Sequence, residues 1–136
     1  MKKIFAVVLA LVLCLSVFAC AASADVSNVK LGVILLHDED STYDLNFING
    51  VYEAVESLGL TEDQLIIKRN IPESNECYEA ALDLVDEGCT IIFADSFGHE
   101  TFMLQAAKEC PDVEFCHATG TMAHTEKLAN FHNAFA

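Results

Sequence analysis

Positive charge is scarce in this chain: seven lysines and arginines stand against 21 aspartates and glutamates, for a formal net charge of −14. With no basic stripe to neutralise a phosphate backbone, nucleic acid is excluded as a partner. The acidic excess is accounted for by solubility on a charged surface. Glycine and proline are also few, six and two, and no Pro/Gly linker, internal repeat or low-complexity tract divides the chain. Residues 25–136 therefore suit one small domain. Several motifs are absent. No CxxC spacing marks a zinc knuckle. No GxGxxG or Walker loop follows the first apolar run, and no GxSxG forms a nucleophile elbow.

The N-terminus has the pattern of an export signal. Met1-Lys2-Lys3 is a positive n-region and Ile4 to Phe18 an apolar h-region. Two exits are legible. Ala22-Ser23-Ala24 before Asp25 is an A-x-A cleavage site. Val17-Phe18-Ala19-Cys20 resembles a bacterial lipobox, which would acylate Cys20, although Phe18 stands where that motif prefers a small residue. The apolar run is short for a permanent membrane span. Either exit places residues 25–136 outside the cytoplasm, as a lipid-anchored or a released protein. Removing residues 1–24 also removes Lys2 and Lys3, which takes the formal charge to −16. Of six cysteines, Cys14 and Cys20 lie in this segment, leaving Cys77, Cys89, Cys110 and Cys116. Export permits disulfides. Cys89 and Cys110 are the one pair whose positions suit a disulfide, and buried free thiols are the alternative.

The apolar run Leu31 to Leu36 predicts a buried strand, ending in an acidic, hydroxyl-rich loop from His37 to Asp44. Helical spacing of Leu45, Ile48, Val51, Tyr52, Val55 and Leu58 predicts a helix over Asp44 to Leu58, stopped by Gly59. A second strand follows at Leu65 to Lys68. Ser74 or Asn75 caps a second helix that presents Tyr78, Ala81, Leu82 and Val85 and ends at Gly88. Thr90 to Ala94 predicts the third strand. A helix carrying Phe102, Met103 and Ala106 ends before Pro111, and Val113 to His117 predicts the fourth strand. From Ala129 another short strand leads toward a helix. Alternating strands and helices of this kind predict an α/β fold, a parallel sheet with flanking helices and right-handed crossovers.

That topology gathers the loops His37–Asp44, Asn70–Asn75, Asp95–Glu100 and His117–Thr121 at one carboxyl edge, where ligands bind in such sheets. The first loop holds four carboxylates and no glycine, so it is not a phosphate cradle. Three chemistries could occupy the edge. His37, His99 and His117 end strands and His124 follows, which suits an extracytoplasmic metal site, although no HxH or HExxH spacing supports it. Ser96 could head a hydrolase triad, but triads are established by geometry. Tyr43 and Phe97, flanked by polar residues, suit a site that stacks a planar ligand and hydrogen-bonds its edges. Phe97 could equally fold back onto the core.

The segment Ile91 to Gly120, IIFADSFGHETFMLQAAKECPDVEFCHATG, resembles the basic membrane protein (BMP) family of ABC-transporter solute-binding proteins, which includes purine nucleoside receptor lipoproteins. Ser96-Phe97-Gly98, the helix ending AAKECPDV and His117-Ala118-Thr119-Gly120 form the matching set. Asp40-Ser41-Thr42-Tyr43-Asp44 resembles that family's Asp-Lys-Ser-Phe-Asn loop, and Asn130-Phe131 resembles the start of a further segment. The likeness runs from Val29 to Ala136.

This resemblance implies the incomplete N-terminal lobe of a two-lobed, periplasmic-binding-protein-like (Rossmann-like) fold. Its implied partners are a nucleoside-like solute and an ABC permease; no catalysis and no cofactor are implied. By position it implies a ligand-binding set of Asp40, Tyr43, Asp44, Ser96, Phe97, Gly98, His117, Thr119 and Gly120, with Tyr43 as the stacking ring. Tyr43 replaces the family's Phe and Asp44 its Asn, which changes the polarity of the pocket. A lone lobe supplies half a cleft, so weak binding or none is expected.

Overall fold

The structure, a computed structural model, describes residues 25–134. The expected signal segment with Cys14 and Cys20, and the helix expected after the last strand, lie outside the described residues. Five strands form one sheet: β1 (Leu31–Ile34), β2 (Leu65–Lys68), β3 (Ile91–Ala94), β4 (Glu114–Ala118) and β5 (Phe131–Ala134). Every pairing is parallel, in the order β2-β1-β3-β4-β5. The helices are α1 (Thr42–Leu58), α2 (Asn75–Asp86), α3 (Glu100–Glu109) and α4 (Met122–Glu126). Short 3₁₀ turns at Glu62–Gln64 and Phe97–His99 lead into β2 and α3. The α/β class with a parallel sheet and flanking helices is as expected from the sequence.

Local chemistry sets the helix ends. Ser41 caps α1 from an extended conformation, its hydroxyl accepting the Asp44 N–H. The helix therefore begins two residues before the position expected from apolar spacing alone. At the other end Gly59 takes φ 69°, and the Leu60 N–H reaches back to the Val55 carbonyl. A side chain in that left-handed conformation would be strained. Ser74 caps α2 by accepting from the Glu76 N–H.

The two faces of the sheet are covered unequally. On one, Ile34, Ile92, Ala94, Phe115 and Phe131 pack against Cys77, Ala80, Ala81 and Leu84 of α2 and Met103, Leu104, Ala106 and Ala107 of α3. The alanines bring these helices close to the strands. Gly32 shows how close: a Cβ there would sit 3.0 Å from a Leu84 methyl and 3.1 Å from the Cys89 sulfur. The opposite face carries a smaller cluster in which Val33, Leu35 and Ile48 are buried, with Phe47 and Val51 of α1 packed against them. Beside α1 an apolar groove of about 320 Å³ stays open over Leu31, Ile91, Phe93 and Cys116. All four described cysteines are free thiols, with Cys77 and Cys89 buried and Cys110 and Cys116 partly so. The Cys89–Cys110 pairing is thus not formed. Among the described residues no helix is long and apolar enough to cross a membrane.

Candidate functional site

In the order β2-β1-β3-β4-β5 the chain leaves β1 toward one side and β3 toward the other, so a crevice opens between their carboxyl ends. The loops that follow β1 and β3 flank it. From the first comes the start of α1, with Tyr43 and Asp44; from the second come Asp95, Ser96 and Phe97.

The floor of this crevice is polar, buried and hydrogen-bonded. Asp44 is 1% exposed and Asp95 is 0% exposed. One oxygen of Asp44 accepts the His37 N–H at 2.8 Å, and one oxygen of Asp95 accepts the Leu36 N–H at 3.2 Å. Among the described residues, their other oxygens have no partner besides each other's carboxyl group. Burial opposes charge on Asp44, but hydrogen bonds from Ser41 and the His37 N–H outweigh it and hold this carboxyl below the usual range. Asp95 goes the other way. Burial, and then the facing Asp44 carboxyl, push it up to about 7.

Above this floor the Tyr43 hydroxyl donates to the Asp95 carbonyl at 3.0 Å, which ties the first turn of α1 to the end of β3. The Tyr43 ring, 47% exposed, stands edge-on to Phe47 with centroids 5.0 Å apart. Burial raises the Tyr43 pKa further, so its hydroxyl stays a donor at neutral pH. Phe97 is 66% exposed and does not fold back onto the core.

The histidines are structural members of the edge. His117 and His99 are both 0% exposed. The His117 Nε2 lies 2.6 Å from the Ser96 carbonyl, and the His99 Nε2 lies 2.9 Å from the Ile71 carbonyl. A carbonyl can only accept, so each Nε2 carries the proton. Burial lowers both pKa values, which leaves both rings neutral at pH 7. Gly120 packs so tightly that a Cβ would collide with the Glu100 carboxylate and the His117 ring. Glu100 itself is buried and accepts the Met122 N–H at 2.5 Å and the Asn133 amide at 3.3 Å.

The residues expected to line a cleft therefore divide. Tyr43, Asp44, Ser96, His117 and Gly120 belong to one hydrogen-bonded or packed network around Asp95. Asp44 and His117 are buried inside that network and face the protein. Asp40, Tyr43, Phe97 and Thr119 are exposed at the edge. Asp40 stands apart, with its N–H bonded only to the neighbouring Asp38 carboxylate. Among the described residues no three His, Cys, Asp or Glu side chains converge to hold a metal ion. Ser96 has no histidine on its hydroxyl: the partner there is Glu73, at 2.5 Å.

Sequence spacing gave no warning of Glu73. It sits in the loop after β2 and also accepts the Gly98 N–H at 2.9 Å. The hydrogen bonds from Ser96 and then Gly98 hold its carboxyl below the usual range. Glu73 is mostly exposed, so solvent screens the effect. Glu73→Ala should lower stability by less than about 1 kcal/mol at pH 7. Because the folded-state pKa is depressed, that contribution is present above the unfolded value and lost as pH falls through the folded one. Thermal melts of the two proteins should therefore converge in acid.

No protein-family model matches the chain, and no match is found among curated proteins. Two solved structures are similar in fold. An ABC transporter solute-binding protein from Conexibacter woesei DSM 14684 superposes with a TM-score of 0.64 at 16% identity, over 79% of this chain and 35% of its own. A transcriptional activator of the comK gene from Bacillus halodurans gives 0.57 at 17% identity, over 67% of this chain and 30% of its own. A solute-binding protein shares this fold. The likeness at these identities concerns the fold alone, and the second structure shows that the same architecture serves a different task. This chain spans about a third of the length of either structure.

Proposed function

We propose that the chain is the N-terminal lobe of the extracytoplasmic solute-binding component of an ABC importer, without catalysis of its own, and that its solute is a purine nucleoside or a similarly small polar molecule. One observation carries the reading. At the crevice between β1 and β3, an exposed Phe97 ring and a half-exposed Tyr43 ring rise beside a floor of hydrogen-bonded carboxyls. Flat rings over polar groups suit a planar base bearing a sugar. The fold shared with a solute-binding protein and the BMP-like motifs on these same loops support it.

In this reading Asp40, Tyr43, Phe97 and Thr119 meet the solute, with Ser96 and Gly98 beside them. Asp44, His117 and Gly120 hold the loops from beneath. The remaining half of the cleft belongs to a second lobe, and closure of the two lobes delivers the solute to a membrane permease. Export precedes this, by cleavage after Ala24 or by lipid anchoring at Cys20. The histidine-based metal reading finds no support, because His99 and His117 are buried on backbone carbonyls.

The test is a nucleoside panel against a protein carrying both lobes. At a hundredfold excess over Kd a purine nucleoside should add about 2.7 kcal/mol of stability and raise Tm. Tyr43→Ala should abolish most of that rise. An unchanged Tm across the whole panel ends the nucleoside assignment.

A further inference from the structure

Two buried carboxyl groups with unpartnered oxygens facing each other are costly unless something lies between them. Asp44 Oδ2 and Asp95 Oδ2 are such a pair, each wholly enclosed. They come from elements far apart in sequence: one from the first turn of α1, the other from the end of β3. Each has its second oxygen fixed by a backbone N–H of the β1–α1 loop, at His37 and Leu36. A single proton is the simplest link between two such oxygens.

We propose that Asp44 and Asp95 share a single proton in a carboxyl–carboxylate hydrogen bond that latches the β1–α1 loop to the end of β3, and that loss of this proton loosens the carboxyl edge. Asp95 carries the proton and Asp44 accepts it, since Asp44 has the stronger donors around its charge. When the proton leaves to solvent, two carboxylates are left facing each other in a site that water does not reach. Their repulsion is relieved by parting the loop from the strand. The Tyr43–Asp95 hydrogen bond spans the same gap and would part with them. The latch is independent of which solute the edge takes.

Other titratable groups surround the pair. They are His37 and Asp38 in the β1–α1 loop, Tyr43 on α1, Cys77 on α2 and His99 in the 3₁₀ turn, with His117 of β4 and Glu73 next to these. Burial pushes the Cys77 thiol up to about 12, and that of Tyr43 is raised, so both stay neutral below pH 9. Burial holds His99 and His117 below the usual histidine value, so both are neutral at pH 7.

The sign follows from linkage. Asp95 has a folded-state pKa near 7, above the unfolded value of 3.8. Its contribution is present in full below the unfolded value and is lost as pH rises through about 7. Asp95→Asn keeps the shape and replaces the shared proton with a permanent amide N–H toward Asp44. From pH 5.5 to 8.5 the wild type should lose roughly 5 °C or more of Tm relative to this variant. Carboxyl carbon NMR of the wild type, with ¹³C aspartate, reads the proton directly. One buried carboxyl should titrate near neutrality, and in Asp44→Asn its titration should move clearly to lower pH, since burial alone then remains to raise it. Three results would overturn the proposal: both carboxyls ionised at pH 5.5, parallel melts of wild type and Asp95→Asn, or an Asp95 that still titrates near neutrality in Asp44→Asn. The last would make burial, not sharing, the cause.

Discussion

Phe115→Ala should cost about 3–5 kcal/mol, a large part of the roughly 5–15 kcal/mol that holds a domain of this size folded. Phe115 is fully enclosed in β4, a strand paired on both sides. Its register partners are Ile92 on β3 and Phe131 on β5, both buried on the same face. Removing the ring leaves a void that the overlying helices would have to fill. They already pack through alanines, with Ala81 and Ala106 fully buried, and have little room to move inward. Urea denaturation should show the midpoint falling sharply with an unchanged m-value. Tyr52→Ala is the contrast, since that ring is 50% exposed and its loss should stay within about 0.5 kcal/mol. A cost below about 1 kcal/mol for Phe115→Ala would mean that the core relaxes around the gap.

Much of the fold was legible because its signals are local. Leu65 to Lys68 is a strand with the predicted bounds, and Ser74 caps α2 as its residue type suggests. The later helix Met122–Glu126 escaped notice. It is five residues long, has no side-chain cap and is closed by Lys127 at φ 55°, so neither periodicity nor a glycine marks it. The site was legible only in outline. Topology brought the expected loops to one carboxyl edge, but whether a polar side chain there faces solvent depends on partners far away in sequence. Asp44 and His117 have the residue types of ligand contacts, yet Asp44 is buried against Asp95 and His117 against the Ser96 carbonyl. Asp95, Glu73 and Glu100 carry much of the network and have no sequence pattern that separates them from the other acidic residues. Abundant carboxylates hide the few that are buried.

Asn130 shows the same dependence on distant partners, and its replacement by aspartate should rival the loss of Phe115. Asn130 is 7% exposed at the entry to β5. Its side-chain amide donates to three carbonyls: Ala107 at 2.9 Å, Val113 at 3.0 Å and Cys110 at 3.1 Å. Two amide hydrogens serve three acceptors, so at least one is shared. Two of those carbonyls lie at the end of α3, where backbone acceptors lack partners within the helix. The amide thus joins the end of α3, the start of β4 and the start of β5. Asn130→Ala removes the donors, with only the Cys110 carbonyl keeping a known partner in the Val113 N–H, at a cost of about 1–3 kcal/mol. Asn130→Asp is worse at neutral pH, because a carboxylate would point at three carbonyl oxygens, for about 3–5 kcal/mol. The sign with pH is fixed by the same geometry. The introduced carboxyl would have a folded-state pKa raised above its unfolded value of roughly 3.9. Its protonated form, which has one donor, tolerates the site, and stability is lost as pH rises through the raised value. Thermal melts at pH 4.5 and pH 7.5 should therefore show Asn130→Asp gaining on Asn130→Ala in acid and falling below it at neutrality. If the two variants keep the same order and spacing at both pH values, the amide does not face these carbonyls in solution.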